Sequence, residues 1–239
     1  MSNPERKPPR ANPSLCPGAA EPKEPDLNDF TSLGLSAPIL AALEQAGYTT
    51  PTPIQSQAIP PLLQGRDLVG IAQTGTGKTA AFALPILHRL AAEPKRAARH
   101  GCRVLVLSPT RELATQISES FRVYGAQLNL TVATVFGGVG HRPQIQALRG
   151  GVDVLVATPG RLLDHMATGQ ANVANAEILV LDEADQMLDL GFLKPIRQII
   201  GRLPKARQTL LFSATMPEQI ARLAKDFLRN PERVSVAPV

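Results

Sequence analysis

The sequence contains no tryptophan and only two tyrosines among its 239 residues, and aromatic side chains make up 4% of it. Proteins that bind single-stranded nucleic acid by stacking successive bases need several aromatic rings on one surface. A base-stacking RNA-binding sheet or barrel does not fit this composition. Any nucleic acid is therefore expected to be bound through its backbone.

Cysteine is equally scarce, with two residues in the whole chain. Cys16 falls in a proline-rich stretch and Cys102 stands alone. Neither a disulfide framework nor a structural zinc site is indicated by this pattern, and we interpret both residues as free thiols.

Long apolar runs are absent as well. No segment approaches the roughly 18 uninterrupted apolar residues that span a membrane. The first residues, MSNPERK, lack the apolar stretch of a secretory signal. The sequence therefore predicts a cytoplasmic protein without a membrane partner.

Residues 1–29 contain seven of the 22 prolines, together with four basic and five acidic side chains. Such a segment cannot bury enough apolar surface to offset the entropy of ordering it. We interpret it as a disordered, proline-rich leader. The leader therefore carries a net charge of −1, and residues 30–239 carry about +6, which permits a polyanionic partner.

From residue 30 onward, short apolar runs alternate with amphipathic stretches typical of helices. The runs that look like buried strands are 67–72, 103–108, 131–136, 153–157, 178–181, 209–212 and 233–236. This alternation predicts an α/β fold in which helices flank a doubly wound, mostly parallel sheet. In such sheets ligands bind beyond the carboxyl ends of the strands, so the segments that follow the strands are the candidate site.

The first strand is followed by the segment QTGTGKT, residues 73–79, and then by a helical pattern. This is the arrangement of a P-loop NTPase: backbone N–H groups and the helix N-terminus bind phosphate, Lys78 reaches the terminal phosphates, and Thr79 can ligate Mg²⁺. The alternative is a glycine-rich turn that only begins a helix, and Ala72 stands where the general motif has its first glycine. The Lys-Thr pair in register after a strand favours the phosphate loop.

The buried strand 178–181 ends in two carboxylates, Asp182 and Glu183. Carboxylates are costly to bury without a partner, and we expect Mg²⁺ to be that partner. Asp182 suits the water shell of the metal, and Glu183 suits the attacking water. A solvated helix start is the alternative, since acidic residues favour that position.

The segment GYTTPTPIQ, residues 47–55, resembles the Q motif of DEAD-box ATP-dependent RNA helicases. The further motifs of that family follow in order: Ala72 to Thr79, Pro109 to Leu113, Gly137-Gly138, Thr158 to Arg161, Asp182 to Asp185, and Ser213 to Thr215. The resemblance covers essentially all of residues 30–239 and is similar to the bacterial RhlE-like branch. Ala72 is usual in the family, so this departure from the general loop pattern supports the resemblance.

The resemblance implies a RecA-like lobe that binds ATP and Mg²⁺. Gln55 would bind adenine, Tyr48 would stack on the base, and Phe30 would brace this segment; core packing is the alternative for both aromatic residues. The full set of implied nucleotide contacts is Phe30, Tyr48, Thr50, Gln55, Gln73, Thr74, Gly75, Thr76, Gly77, Lys78 and Thr79. Lys78, Asp182 and Glu183 are the implied catalytic residues. Thr79 and Asp182 would hold Mg²⁺, largely through water.

The resemblance also implies contacts to the RNA backbone, without sequence specificity. The residues concerned are Pro109, Thr110, Arg111, Gly137, Gly138, Thr158, Pro159, Gly160 and Arg161. Thr110, Thr158 and Thr215 also stand where helix N-caps are predicted, and Glu218 would complete a capping box with Thr215. The family resemblance assigns Ser213 and Thr215 to the coupling of ATP hydrolysis to strand separation, through Asp185. For Thr215 the helix cap is the alternative.

Taken together, these motifs imply the N-terminal lobe of an ATP-dependent RNA helicase that unwinds short duplexes by closing two RecA-like lobes. No segment here matches the second lobe and its arginine finger, so we expect the isolated lobe to be nearly inactive. Two alternatives stay open at this point: a P-loop ATPase that acts on DNA or protein, and an ATP-gated RNA clamp that does not unwind.

Overall fold

The computed structural model describes residues 29–236. Apart from Asp29, the predicted leader lies outside the described residues, and so does Cys16. The Asp29 carboxylate accepts a hydrogen bond from the backbone N–H of Thr31 (3.1 Å) and begins a 3-10 helix, Phe30–Leu33. Asp29, which we assigned to the leader, is therefore part of the first ordered turn.

Helices and strands alternate along the chain, as predicted. Their bounds are α1 Ala37–Gln45, α2 Pro53–Leu63, β1 Leu68–Ile71, α3 Lys78–Ala92, β2 Cys102–Leu107, α4 Arg111–Tyr124, β3 Val132–Val135, α5 His141–Leu148, β4 Val152–Ala157, α6 Pro159–Ala167, β5 Ile178–Leu181, α7 Ala184–Asp189, α8 Leu193–Ile200, β6 Gln208–Ser213, α9 Glu218–Phe227 and β7 Glu232–Ser235. Each predicted strand is found within two residues of its expected bounds.

The strands form one sheet in the order β3-β4-β2-β5-β6-β1-β7, and every neighbouring pair is parallel. From β1 the chain crosses to β2 and on to the edge strand β3. It then returns through β4 and continues over β5 and β6 to the opposite edge strand β7, which lies beside β1. The phosphate-loop strand β1 and the acidic strand β5 are separated by β6 alone. Their carboxyl ends therefore lie close together.

The sheet is covered on both faces, and its central strands β2, β5 and β6 are buried at every position. Val104 and Val106 of β2 pack in the cluster that includes helices α1 to α4, whereas Leu105 and Leu107 pack in the cluster with α5 to α9. Successive side chains of a strand point to opposite faces, so one continuous apolar run serves both layers. The prediction of a doubly wound α/β fold is confirmed.

No helix within residues 29–236 is long and apolar enough to cross a membrane. Cys102 is a free, buried thiol at the start of β2, and burial raises its pKa to about 12. A thiol held so far from ionisation is not a reactive nucleophile at neutral pH.

Asp67 fixes the edge of the sheet beside β1. Its carboxylate, only 6% exposed, accepts hydrogen bonds from the backbone N–H of Thr209 at the start of β6 (2.8 Å) and of Arg229 ahead of β7 (2.7 Å). The backbone carbonyl of Asp67 accepts a further bond from Glu232 N. One side chain thus links three neighbouring strands.

We expect Asp67→Ala to lower the free energy of unfolding by about 2–4 kcal/mol, because two N–H groups lose a charged acceptor. Urea unfolding followed by circular dichroism measures this. Asp189→Ala, at an exposed carboxylate of α7, is the control and should change stability by less than about 0.5 kcal/mol. Equal denaturation midpoints for Asp67→Ala and the unmodified chain would contradict the assignment.

Candidate functional site

A cleft of about 360 Å³ opens at the carboxyl ends of β1 and β5. Nine of the predicted site residues line it: Tyr48, Gln55, Thr74, Gly75, Gly77, Lys78, Thr79, Asp182 and Glu183. They come from three separate parts of the sequence. The parallel sheet brings them together, as the strand-end rule predicts.

The glycine-rich turn has the backbone that a phosphate loop requires. Gly75 and Gly77 adopt positive φ angles of 85° and 92°, which side chains disfavour. A Cβ atom on Gly77 would lie 2.4 Å from Nε2 of Gln55, so this position also has no room for a side chain. Gly77 is the N-cap of the 15-residue helix α3, whose N-terminus therefore faces the cleft. The positive end of its dipole and its unpaired N–H groups suit a phosphate.

Lys78 and Glu183 form a buried ion pair across the cleft floor. Nζ of Lys78 lies 2.9 Å from Oε1 of Glu183 and 2.9 Å from the carbonyl oxygen of Ala72. The two side chains are 5% and 9% exposed. Thr74 Oγ1 donates a further hydrogen bond to the same carboxylate oxygen (2.8 Å). The lysine ammonium therefore compensates the buried charge of Glu183, and Mg²⁺ beside the acidic pair stays a prediction.

Among residues 29–236, no such cation is in direct contact with Asp182. It is 2% exposed, and its Oδ1 accepts a hydrogen bond from the backbone N–H of Glu183 (3.1 Å). Burial raises the pKa of Asp182 to about 7, an effect that Lys78 opposes and Glu183 reinforces. A buried carboxylate this poorly compensated is well suited to a hard cation at the cleft.

Thr79 and Asp182, the predicted Mg²⁺ ligands, both line the cleft. Between Asp29 and Val236, no three side chains of histidine, cysteine, aspartate or glutamate are arranged to hold a metal ion. One hydroxyl and one carboxylate fit a Mg²⁺ ion that keeps most of its waters and binds substrate phosphates.

Gln55 joins the phosphate loop to helix α2. Its Oε1 accepts a hydrogen bond from the backbone N–H of Thr52 (2.9 Å), and its Nε2 donates to the carbonyl oxygen of Gly77 (3.1 Å). The side chain is 2% exposed. Both ends of the amide are therefore engaged within the protein, and base recognition requires one of these bonds to be exchanged or shared.

Helix α4 supplies one wall of the cleft, which the sequence analysis missed. Four of its residues line the cavity: Leu113, Gln116, Ser120 and Tyr124. Their spacing of three, four and four residues places them on one helix face. That periodicity was present in the sequence and, together with the position after a strand, was the signal that could have found them.

Four predicted nucleotide contacts do not line the cleft. Phe30 is 3% exposed and packs in the apolar core with Leu33, as its alternative interpretation held. Thr50 and Gln73 are exposed, and the hydroxyl of Thr76 donates to the carbonyl oxygen of Gln73 within the loop (2.7 Å). A supporting role for Phe30 is thus one of packing, because its ring cannot reach the cavity.

Three of the predicted RNA contacts, Arg111, Gly138 and Arg161, lie together at the loop after β3. The Arg111 guanidinium lies over the Phe136 ring, 5.1 Å from its centroid, and a Cβ atom on Gly138 would approach it to 2.9 Å. Arg161 donates from Nη1 to the carbonyl oxygen of Val139 (2.9 Å). Two arginines from different helices therefore shape one loop, and Gly138 is needed for the close approach of Arg111.

A buried amide supports this loop from below. Gln144 of α5 donates from Nε2 to the carbonyl oxygen of Phe136 (2.9 Å), and its Oε1 lies 3.2 Å from Nε2 of His165 in α6. Burial lowers the pKa of His165, and the neighbouring His141 and Arg161 lower it further. The imidazole is therefore neutral at pH 7, and the sequence analysis identified neither residue.

Of the three threonines predicted as helix N-caps, one accepts a capping hydrogen bond from a backbone N–H of its own helix. Thr110 Oγ1 accepts from the N–H of Leu113 (3.2 Å) at the start of α4. Thr158 occupies the N-cap of α6 without a side-chain bond, ahead of Pro159 at N1. The capping box of Thr215 with Glu218 is wrong, because α9 begins at Glu218 with Pro217 as its N-cap.

Thr215 contacts Asp185 instead. Its backbone N–H and its hydroxyl both donate to Oδ2 of Asp185 (2.8 Å each), and Ser213 Oγ accepts from the Asp185 N–H (3.1 Å). Burial alone would raise the pKa of Asp185, but the hydrogen bonds of Thr215 and Ser213 hold it below its ordinary value. The predicted contact between these segments is confirmed, whereas its role in coupling stays a prediction.

The comparisons with known proteins agree with this geometry. A sequence profile described as DEAD/DEAH box helicase matches residues 52–223. The chain is 48% identical over 208 residues to "ATP-dependent RNA helicase DeaD" of Buchnera aphidicola subsp. Acyrthosiphon pisum (strain APS). It is 47% identical over 208 residues to "DEAD-box ATP-dependent RNA helicase CshA" of Streptococcus pneumoniae serotype 4. Both alignments cover 87% of this chain.

Among solved structures, a DEAD box protein from the hyperthermophile Methanococcus jannaschii superposes with a TM-score of 0.80 at 38% identity, covering 87% of this chain and 56% of that one. The chain spans only 34% and 39% of the DeaD and CshA relatives. The resemblance to the RhlE-like branch stays a prediction, because these relatives carry other names.

We expect Thr215→Val to raise the pKa of Asp185 toward 3.8, because the carboxylate loses the hydroxyl donor that favours its charged form. A lowered pKa stabilises the fold above the pKa of the unfolded chain, and this contribution is lost as pH falls through the folded value. The stability difference between Thr215→Val and the unmodified chain should therefore shrink below about pH 3.8. Carbon-13 NMR titration of the carboxylate measures the pKa, and Thr215→Ser, which keeps the hydroxyl, should preserve it.

Proposed function

The chain belongs to the DEAD/DEAH box helicase family, and on that premise we propose that residues 30–239 form the ATP-binding, RecA-like lobe of an ATP-dependent RNA helicase. The observation that carries the proposal is the single cleft in which Gln55, the phosphate loop and the Lys78–Glu183 pair meet. The helicase names of the relatives support RNA as the substrate, and they favour neither a DNA-acting ATPase nor a clamp.

ATP binding requires Lys78 to change partners. In the structure its ammonium is held by Glu183 and by the Ala72 carbonyl. A triphosphate seated on the turn at Gly75 and Gly77 brings oxygen anions to the N-terminus of α3, where Lys78 can turn to them without leaving the cleft floor. The Lys78 ammonium is paired with Glu183 before the exchange and with phosphate oxygens after it, so its buried charge is compensated in both states.

The same exchange releases Glu183. Its carboxylate, once free of Lys78, is the nearest base to a water placed in line with the γ-phosphate. Glu183 adopts φ 50° and ψ 55°, a left-handed backbone that is uncommon for a residue other than glycine. Such strain is found where a side chain must be aimed at a reacting group. The release of Glu183 thus ties base activation to the arrival of substrate.

Mg²⁺, when bound, supplies positive charge to the β- and γ-phosphate oxygens. Thr79 and Asp182 would hold it, the carboxylate largely through water. The buried Asp182, whose pKa is raised to about 7, ionises fully only beside such a cation. Asp182 would therefore hold the metal through its water shell, and the role of base is assigned to Glu183.

The RNA backbone would contact the edge formed by the N-termini of α4 and α6 and by the loop after β3. Arg111 and Arg161 lie there, together with Thr110 and Gly160, and the helix N-termini add donors for phosphate oxygens. These groups carry no base-specific pattern. We therefore expect binding that depends on backbone charge and falls steeply with salt.

Asp185 connects the nucleotide to the strand-separating movement. It lies two residues after Glu183 and is bound by Thr215 at the end of β6. A shift of the acidic segment when Lys78 leaves would therefore reach the segment ahead of α9. Among the residues described, no arginine lines the cleft, so we propose that a second lobe donates the arginine that accelerates hydrolysis.

We expect ATP to bind to this chain and GTP to bind at least tenfold more weakly, because a carboxamide matches N6 and N7 of adenine whereas guanine offers two acceptors. Gln55→Ala should weaken ATP binding by about 1–3 kcal/mol, the cost of an unpaired polar group. Isothermal titration calorimetry checks both. Equal affinities for ATP and GTP would contradict the assignment of Gln55 to adenine recognition.

Glu183→Gln should bind ATP at least as tightly as the unmodified chain, because Lys78 loses its competing anion. In the full-length protein, which would include the proposed second lobe, single-turnover hydrolysis should vanish with the carboxylate base. Lys78→Ala should abolish useful ATP binding. Asp189→Asn, which changes an exposed acid outside the cleft, is the charge-matched control and should leave both unchanged. Normal hydrolysis by Glu183→Gln would show that another group is the base.

A further inference from the structure

The chain has only two tyrosines, Tyr48 and Tyr124, and their side chains are in contact. Tyr124 Oη donates a hydrogen bond to Tyr48 Oη at 3.2 Å. The rings are nearly perpendicular, with centroids 5.6 Å apart and an interplanar angle of 81°. Both rings line the nucleotide cleft. A pair of bonded hydroxyl groups is thus part of the lining of the cavity.

The two partners differ in how firmly the fold holds them. Tyr124 is 5% exposed, lies on helix α4 and belongs to the apolar core. Tyr48 is 42% exposed and follows Gly47 in the segment between α1 and α2, which makes it the more mobile of the two by position. An exposed aromatic side chain loses rotamer freedom when it binds a ligand. The hydrogen bond from Tyr124 already restricts the rotamers of Tyr48 before a ligand binds, so less freedom is lost on binding.

The environment keeps the Tyr124 hydroxyl protonated. Burial raises the pKa of Tyr124 well above its ordinary value, and the hydrogen bond to Tyr48 raises it further. Tyr124 also lies one helical turn beyond Ser120, another residue of the cleft wall. Its hydroxyl is therefore a neutral hydrogen-bonding group at every pH at which the protein works.

We propose that Tyr124 is a positioning residue for the nucleotide base, and that it acts by holding the ring of Tyr48 in place at the mouth of the cleft. This inference rests on the proposed function, in which Tyr48 stacks on adenine. Preorganisation of a stacking ring improves affinity for the base and leaves the phosphate contacts unchanged.

The same geometry makes the pair an optical reporter. Because the chain has no tryptophan, all of its tyrosine emission comes from Tyr48 and Tyr124. A base that stacks on Tyr48 changes the surroundings of both rings at once. Addition of ADP should therefore alter the tyrosine emission of the unmodified chain.

Tyr124→Phe, Tyr48→Phe and the double variant test the role of the hydroxyl bond. Each single variant should weaken ADP binding by about two- to tenfold, the value of one net hydrogen bond. The double variant should lose no more than either single one, because all three remove the same bond. Calorimetric titration with ADP and with inorganic triphosphate measures this, and affinity for the triphosphate should not change. Val123→Ala, at an exposed residue of α4 outside the cleft, should bind ADP normally.

Unchanged ADP affinity in Tyr124→Phe, or additive losses in the double variant, would overturn the inference. If Tyr124→Phe unfolds at a lower denaturant concentration than the unmodified chain, the ADP affinity of Tyr48→Phe decides instead. That variant removes the same hydrogen bond from the exposed side. Lys78→Ala separates the two proposals. If it retains ADP binding, the nucleotide site itself is wrong, whereas loss in Lys78→Ala with none in the tyrosine variants overturns the positioning role alone.

Discussion

The buried ion pair between Lys78 and Glu183 is the interaction on which the cleft depends. It joins the loop after β1 to the end of β5 across 105 residues of sequence. Removing either charge would leave the other buried and unpaired, which is strongly unfavourable. Either side chain can therefore leave the pair only when another charged or polar group takes the place of its partner. On the proposed function, the pair would keep Glu183 from acting as a base until an anion takes its place beside the lysine.

Other functional groups of the molecule are held in the same manner. Gln55 is bound to Thr52 and Gly77, Arg161 to the Val139 carbonyl, and Asp185 to Thr215. Each group is satisfied within the protein, so each is fixed in position at little cost. On the proposed function, binding of nucleotide or RNA at this edge would therefore exchange hydrogen bonds among groups that are already close together. A change at Glu183 would then reach the segment ahead of α9 through Asp185 and Thr215.

The strand ends and the order of the motifs could be predicted from the sequence, because apolar runs and glycine-lysine spacing are local patterns. The partner of Glu183 could not, because nothing near it in sequence carries a positive charge. The cap assigned to Thr215 was wrong for the same reason: the carboxylate of Asp185 in α7 offered its hydroxyl a better acceptor than the start of α9. The helical spacing of the α4 residues that line the cleft was visible in the sequence. Their place in the site became clear only from the structure of the cleft beside them.

The sequence by itself determined the α/β alternation, the phosphate loop and the acidic pair at the end of β5, since these follow from hydrophobic period and residue type within short segments. Only the tertiary structure decided which polar groups meet: Lys78 with Glu183, Gln55 with Gly77, Tyr48 with Tyr124, and Asp185 with Thr215. The physical reason is that a buried polar group pairs with whatever complementary group the packed sheet and helices bring within about 3 Å, at any distance along the chain.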